Sequence, residues 1–155
     1  MKKRKKSIVL KMGYVNHLVF KSSAKLMEEA DLSRGMPPIL EFLYEKGSCI
    51  QREIARQHHM NPASVTSALN TMEASGFIER KPTKTDKRAV MVSLTDLGRE
   101  KYARLREIQD EMEKWCFAQF TQEQKACFEE CLELIISALK KQEEEIEGKD
   151  RQAET

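Results

Sequence analysis

The sequence predicts a mainly α-helical protein with a small β-hairpin wing, arranged as a winged helix-turn-helix core with additional helices at both ends. Three observations support this fold class. Two helices joined by a tight turn are bounded by capping residues and end at Gly76. Two short apolar segments, 77–81 and 89–94, then flank a basic loop. Long amphipathic segments at 7–30 and 96–147 lie outside this core and predict helices that need a partner surface.

The first two helices are delimited by residues that interrupt or start a helix. Segment 7–30 mixes apolar and polar faces, and the residues after it break the helix. Pro37 and Pro38 suit the first turn of a second helix, because the N–H that proline lacks has no partner at that position anyway. Gly47 is expected to end this helix.

The third and fourth helices form the expected helix-turn-helix. Ser48 followed by Gln51 reads as a capping box that opens the short third helix. Asn61 is expected to cap the fourth helix, with Pro62 at its first position. The buried side of this helix is a stripe at i, i+4 and i+7, formed by Val65, Leu69 and Met72. By order, the fourth helix is the recognition helix.

The wing is predicted from alternation and charge. Val90, Val92 and Leu94 alternate with their neighbours as they would in a half-buried strand. Residues 80–88 hold five bases and one acid, a net charge of +4 in a loop that would protrude beside the recognition helix. A positive hairpin at that place suits the phosphate backbone and grooves of DNA.

The last two helices are also marked by caps. Thr95 and Asp96 are expected to start a fifth helix that continues to about residue 120, and Thr121 with Gln124 forms a capping box for a sixth that continues to about residue 147. Both are apolar on more than one side, which favours a homodimer. The alternative is a helical hairpin that packs within one chain on the first helix.

Composition and charge agree with a nucleic-acid partner. The net charge is only +2, but residues 2–6 are all basic and the wing adds its own excess, so the rest of the chain is acidic and the charge is polarised. No apolar stretch is long enough to cross a bilayer and no secretory signal follows the basic start, so we expect a cytoplasmic protein with no membrane partner. HExxH, P-loop, dinucleotide and nucleophile motifs are missing, and an enzyme is not predicted.

The chain resembles the MarR family (multiple antibiotic resistance regulators) of bacterial transcription factors. The resemblance lies in the string from Asn61 to Thr66, in Gly76-Phe77-Ile78-Glu79-Arg80, and above all in Asp86-x-Arg88-Ala89-x-x-Val92-x-Leu94-Thr95-x-x-Gly98. It implies one MarR-like chain over 1–155, with dimerisation helices at 7–30 and 96–147 and a DNA-binding lobe at 34–95. Members of this family usually repress transcription and release DNA when a small ligand, metal or oxidant binds or reacts.

The resemblance also implies which residues contact DNA. The recognition-helix residues that would face the major groove or its phosphates are Pro62, Ala63, Ser64, Thr66, Ser67 and Asn70. The wing residues are Lys84, Asp86, Lys87 and Arg88, with Arg88 in the minor groove and Asp86 bracing it. Because the recognition helix carries no Arg or Lys, we expect Asn70 to pair with adenine and the operator to be rich in A·T. Gln51 and Arg52 are further candidates for backbone contacts.

Cysteine and histidine leave one alternative open. Cys116, Cys127 and Cys131 would suit a redox- or metal-sensing regulator of the same fold, although reduced, buried cysteine is the more common state in a cytosolic chain. No cofactor and no metal site are otherwise predicted. A small-molecule effector is expected from the resemblance, and His17 on the first helix is a candidate for its pocket.

Overall fold

The structure is a computed structural model that describes residues 7–57, 61–82 and 90–153. The predicted mainly helical fold with a small sheet is confirmed. In chain order the elements of these ranges are α1 (Ile8–Glu29), α2 (Met36–Lys46), β1 (Ser48–Ile50), α3 (Gln51–Gln57), α4 (Pro62–Ala74), β2 (Ile78–Pro82), β3 (Val90–Leu94), α5 (Asp96–Phe117) and α6 (Gln122–Ala153). The chain divides into two compact units, with the boundary after Glu113 in α5.

The small sheet has three antiparallel strands in the order β1-β3-β2, and β1 was not predicted. The capping box expected at Ser48 is wrong, because Ser48 lies in β1 opposite Ser93 and the helix begins only at Gln51. The backbone groups of β1 are satisfied by strand pairing instead. The start of α3 is fixed by Glu53, whose Oε2 accepts a hydrogen bond from the backbone N–H of Ile50 at 2.9 Å.

The core of the first unit determines which face of α4 stays outside. Buried side chains from α2, α3, α5 and the sheet surround the predicted stripe of α4, which is fully buried as expected. The most buried members of this core are Ile39, Leu40, Leu43, Ile54, Val65, Leu69, Met72 and Val92. Each such side chain contributes about 1.5–3 kcal/mol through its removal from water, so the orientation of α4 is strongly determined.

The link from α4 to the sheet and on to α5 is closely packed. Gly76 adopts φ +74°, a left-handed conformation that suits glycine at the end of a helix. The Thr95 hydroxyl donates to the carbonyl oxygen of Gly76 at 2.6 Å and accepts from the N–H of Gly98 at 3.0 Å. The predicted cap of α5 is therefore confirmed, and it also ties this helix to the end of α4.

The second unit begins in the last turn of α5. The Thr121 and Gln124 capping box is confirmed, because the N–H of Thr121 donates to Gln124 Oε1 at 2.9 Å and the N–H of Gln124 donates to Thr121 Oγ1 at 3.2 Å. Helix α6 continues to Ala153, beyond its predicted end near 147. The rings of Phe117, Phe120 and Phe128 pack together beside this turn. Among the residues described, no helix is both long and apolar enough to cross a membrane.

Candidate nucleic-acid interface

Helix α4 presents an exposed, uncharged face opposite its buried stripe. The predicted DNA-contact residues on it are all exposed, and they are Pro62, Ala63, Ser64, Thr66, Ser67 and Asn70. Asn61 Oδ1 accepts a hydrogen bond from the N–H of Ala63 at 2.8 Å, so the predicted cap is confirmed. Small side chains on a capped helix allow its backbone to come close to another surface.

Gln51 holds α4 against the start of α3. Its Nε2 donates to Thr66 Oγ1 at 2.7 Å, and the Thr66 hydroxyl itself donates to the carbonyl oxygen of Pro62 at 2.9 Å. Thr66 has thus used its only donor and one of its acceptor sites inside the protein. Gln51 is half-buried in this contact, whereas Arg52 is exposed and its side chain is available to a partner.

Arg80 brings a positive charge to the recognition helix from β2. Its Nη1 and Nη2 both lie 3.0 Å from Asn70 Oδ1, and Nη1 is also 3.1 Å from Glu73 Oε2. The side chain of Arg80 is only 22% exposed, so this guanidinium lies along α4 rather than in solvent. Helix α4 has no base of its own, yet a base from the sheet contacts its exposed face.

The sequence-based site did not include Arg80, although a signal for it existed. Side chains two residues apart in a strand lie on the same face, and Ile78 of β2 is buried. Arg80 therefore had to share the face of β2 that packs on the core, where a charged side chain needs a partner. Its partner on α4 could not be identified from local sequence, since ten residues separate Arg80 from Asn70.

The base of the wing is a regular pair of strands. Pro82 of β2 lies opposite Val90 of β3, so the loop leaves from the end of a continuous ladder. Lys84, Asp86, Lys87 and Arg88 lie outside the described residues. At the base, Lys81 Nζ is 2.6 Å from Glu79 Oε1, and this hydrogen bond is the main reason why the pKa of Glu79 is below its usual value. One base of the wing is thus already paired within the protein.

The cysteines differ in exposure and none shows an activated thiol. Cys49 is buried in β1, and burial, with Glu53 nearby, raises its pKa to about 11. Cys116, Cys127 and Cys131 are exposed, and the pKa of Cys131 is raised, chiefly by Cys127 one turn before it. A raised pKa lowers the thiolate fraction on which redox chemistry and metal binding depend. The described residues contain no cluster of three or more potential metal ligands, so the sensing alternative is not favoured.

His17, the candidate for an effector pocket, is exposed on α1. The flanking residues on α1, from 11 to 18, are exposed as well. A pocket at His17 would therefore need a covering surface. Its role remains a prediction.

Comparison with known proteins places this geometry among DNA-binding regulators. The model of the MarR family matches residues 38–90, which include the helix-turn-helix and both strands of the hairpin base. An uncharacterized HTH-type transcriptional regulator of Bacillus subtilis, YwhA, is 30% identical over 125 residues, which are 77% of this chain and 90% of YwhA.

Two solved structures show the same fold. A MarR protein from Peptoclostridium difficile superimposes with a TM-score of 0.81 at 22% identity, covering 92% of this chain and 93% of that one. MepR from S. aureus, solved bound to an oligodeoxyribonucleotide, has a TM-score of 0.58 at 21% identity over 87% of this chain and 99% of its own. At these identities the likeness concerns the fold.

Proposed function

Because this chain belongs to the MarR family of transcriptional regulators, we propose that it binds a pseudo-palindromic DNA operator as a homodimer and represses transcription until a small molecule releases it. The family membership supports a DNA-binding regulator. Repression, the operator, the dimer and the response to a ligand are the proposed part. The observation that carries the proposal is the exposed face of α4, which is free of acidic residues from 62 to 72.

The shape and chemistry of α4 suit the major groove. This groove is wide enough for an α-helix, and it displays donors, acceptors and the thymine methyl group along the base edges. Ser64 and Ser67 offer hydroxyl groups to these edges, and Ala63 offers a methyl group. Asn61 caps the helix, so its N-terminus is formed before any partner arrives. Arg52 would contact a phosphate from the neighbouring helix α3.

The wing would add the electrostatic part of binding. We assign Arg88 to the minor groove, with Asp86 bracing it, and Lys84 and Lys87 to phosphates. A narrow minor groove concentrates negative potential, which an arginine held by a carboxylate can meet. The support is positional, since this loop leaves from the paired ends of β2 and β3, beside the recognition helix.

A dimer would supply two recognition helices to one duplex. Helix α1 exposes Ile8, Val9 and Leu10, and α6 exposes Leu134 and Leu139. Exposed apolar residues in such number favour a protein interface. Two-fold symmetry would place the recognition helices in major grooves about one helical turn apart. A small-molecule effector would then act near α1, where His17 lies, by changing the spacing of the two lobes.

The proposal is tested by selecting duplexes from random DNA and measuring affinity for the selected operator by fluorescence anisotropy. We expect a palindromic site and an affinity at least about a thousand-fold above that for random duplex. Arg88→Ala should weaken binding and lower the slope of log K against log salt by about one. Lys25→Ala, which removes a base from α1, is the control for loss of charge. A protein that shows no preference over random duplex would refute the proposal.

A further inference from the structure

Asn70 is the amide on the exposed face of α4, and its oxygen is already occupied. We propose that Arg80 turns Asn70 into a group that only donates hydrogen bonds, and that Asn70 therefore selects guanine in the operator rather than adenine. This inference rests on the proposed function, because it concerns the same DNA-contacting face. It assigns base specificity to a pair of residues, one on α4 and one on β2, that no single helix motif would identify.

The argument starts from the number of hydrogen bonds that one amide can make. A carbonyl oxygen has two acceptor sites, and both guanidinium nitrogens of Arg80 lie 3.0 Å from Asn70 Oδ1. A guanidinium has donors but no acceptor, so the atom of Asn70 that faces it must be the oxygen. The amide nitrogen of Asn70, which has no acceptor among the described residues, is the part left to a ligand. It brings two N–H donors.

The two purines differ in what they require of such a group. Adenine pairs with an asparagine that donates to N7 and accepts from the N6 amino group, so it needs the amide oxygen. Guanine presents two acceptors, N7 and O6, and needs donors alone. With its oxygen occupied by Arg80, Asn70 can satisfy guanine but not adenine. The nearby guanidinium charge further favours the acceptor-rich edge of guanine.

Arg80 is held in place by more than Asn70. Its Nη1 also lies 3.1 Å from the carboxylate of Glu73, one turn further along α4. Its backbone lies in the middle of β2, paired with Val92 of β3. The side chain is largely removed from solvent, so leaving this position would expose Glu73 and break three charge-assisted contacts. Reading guanine keeps all of these contacts, whereas reading adenine requires that Arg80 release the oxygen.

The test compares base preferences of four proteins selected against random duplex DNA: wild type, Asn70→Ala, Arg80→Met and Lys81→Met. The position read by Asn70 is the one whose preference disappears in Asn70→Ala. We expect guanine there for the wild type and adenine for Arg80→Met, because methionine frees the amide oxygen. Lys81→Met removes a neighbouring base that contacts Glu79, and it should keep guanine. Circular dichroism of each variant checks that it is folded.

A second measurement needs no variant. In the selected operator, replacing the guanine by 7-deazaguanine removes one acceptor, and replacing the pair by A·T removes both purine acceptors that match. We expect about a tenfold loss of wild-type affinity for the A·T exchange and a smaller loss for 7-deazaguanine. Wild-type preference for adenine, guanine retained by Arg80→Met, or an unchanged affinity for both altered operators would overturn the inference while leaving the proposed function standing. If the wild type selects no duplex at all, the proposed function itself fails.

Discussion

Glu53 shows how one side chain can replace a predicted cap. Its carboxylate accepts from the N–H of Ile50 at 2.9 Å and from Lys46 Nζ at 2.6 Å, so it starts α3 and ties that helix to the end of α2. The hydrogen bond from Lys46, followed by that from Ile50, holds the pKa of Glu53 below its usual value of 4.5. Its position also allows it to interact favourably with the positive end of the α3 dipole.

A pH series tests this role. A carboxylate with a lowered pKa in the folded state stabilises the fold above its unfolded pKa near 4.5, and the contribution is lost as pH falls through the lower folded value. Glu53→Gln should therefore be less stable than wild type at neutral pH, and the difference should shrink below about pH 4.5. Urea unfolding between about pH 7 and pH 3 measures it, with Glu45→Gln on α2 as the control. A difference that stays constant with pH would contradict the assignment.

Among the elements, the contact between α5 and the start of the hairpin leaves the least space. A Cβ on Gly98 would overlap the carbonyl oxygen of Phe77. That oxygen is fixed, because it also accepts from the N–H of Thr95 at 3.0 Å. The helix can approach this closely only with glycine at position 98.

Gly98→Ala should therefore destabilise the protein by roughly 1–3 kcal/mol or more, through overpacking against backbone. Gly13→Ala on α1 is the matched control, because an added Cβ there meets no atom within 4 Å. It should stabilise α1 by up to about 1 kcal/mol, the difference in helix propensity. Thermal or urea unfolding of both variants gives the comparison. Equal stabilities for the two would show that the close approach has no energetic consequence.

Local signals in the sequence were sufficient for most elements, and contacts between distant segments were not. The caps at Asn61, Thr95 and Thr121 involve residues within three positions of each other, and all were predicted correctly. Strand β1 was missed because three residues show no alternation, and its pairing with β3 spans more than forty positions. Arg80 was missed for the same reason. The exposed face of α4 was predictable because it follows directly from the buried stripe.

At the scale of the whole molecule, the apolar surface of the isolated chain favours self-association. On α1, Ile8 and Val9 are 73% and 75% exposed, and on α6 Leu139 is 60% exposed. The free energy of leaving this surface in water is unfavourable, and a two-fold interface would remove each residue twice. A monomeric regulator would offer only one recognition helix to the duplex, so the size of the operator and the assembly state are linked.

Leu139→Glu on α6 tests the dimer. Burial of a leucine contributes about 1.5–3 kcal/mol per copy, and the introduced carboxylate adds a desolvation penalty in both copies, so the dimer dissociation constant should rise by about a hundred-fold or more. Sedimentation velocity over a concentration series measures the shift. Lys140→Glu adds a carboxylate at the next position without removing apolar surface, and it should change assembly far less. Operator affinity should fall with dimerisation in Leu139→Glu, since binding both half-sites requires two linked lobes. A wild type that sediments as a monomer at micromolar concentration, or a Leu139→Glu variant that dimerises as tightly as wild type, would exclude an interface at this position of α6.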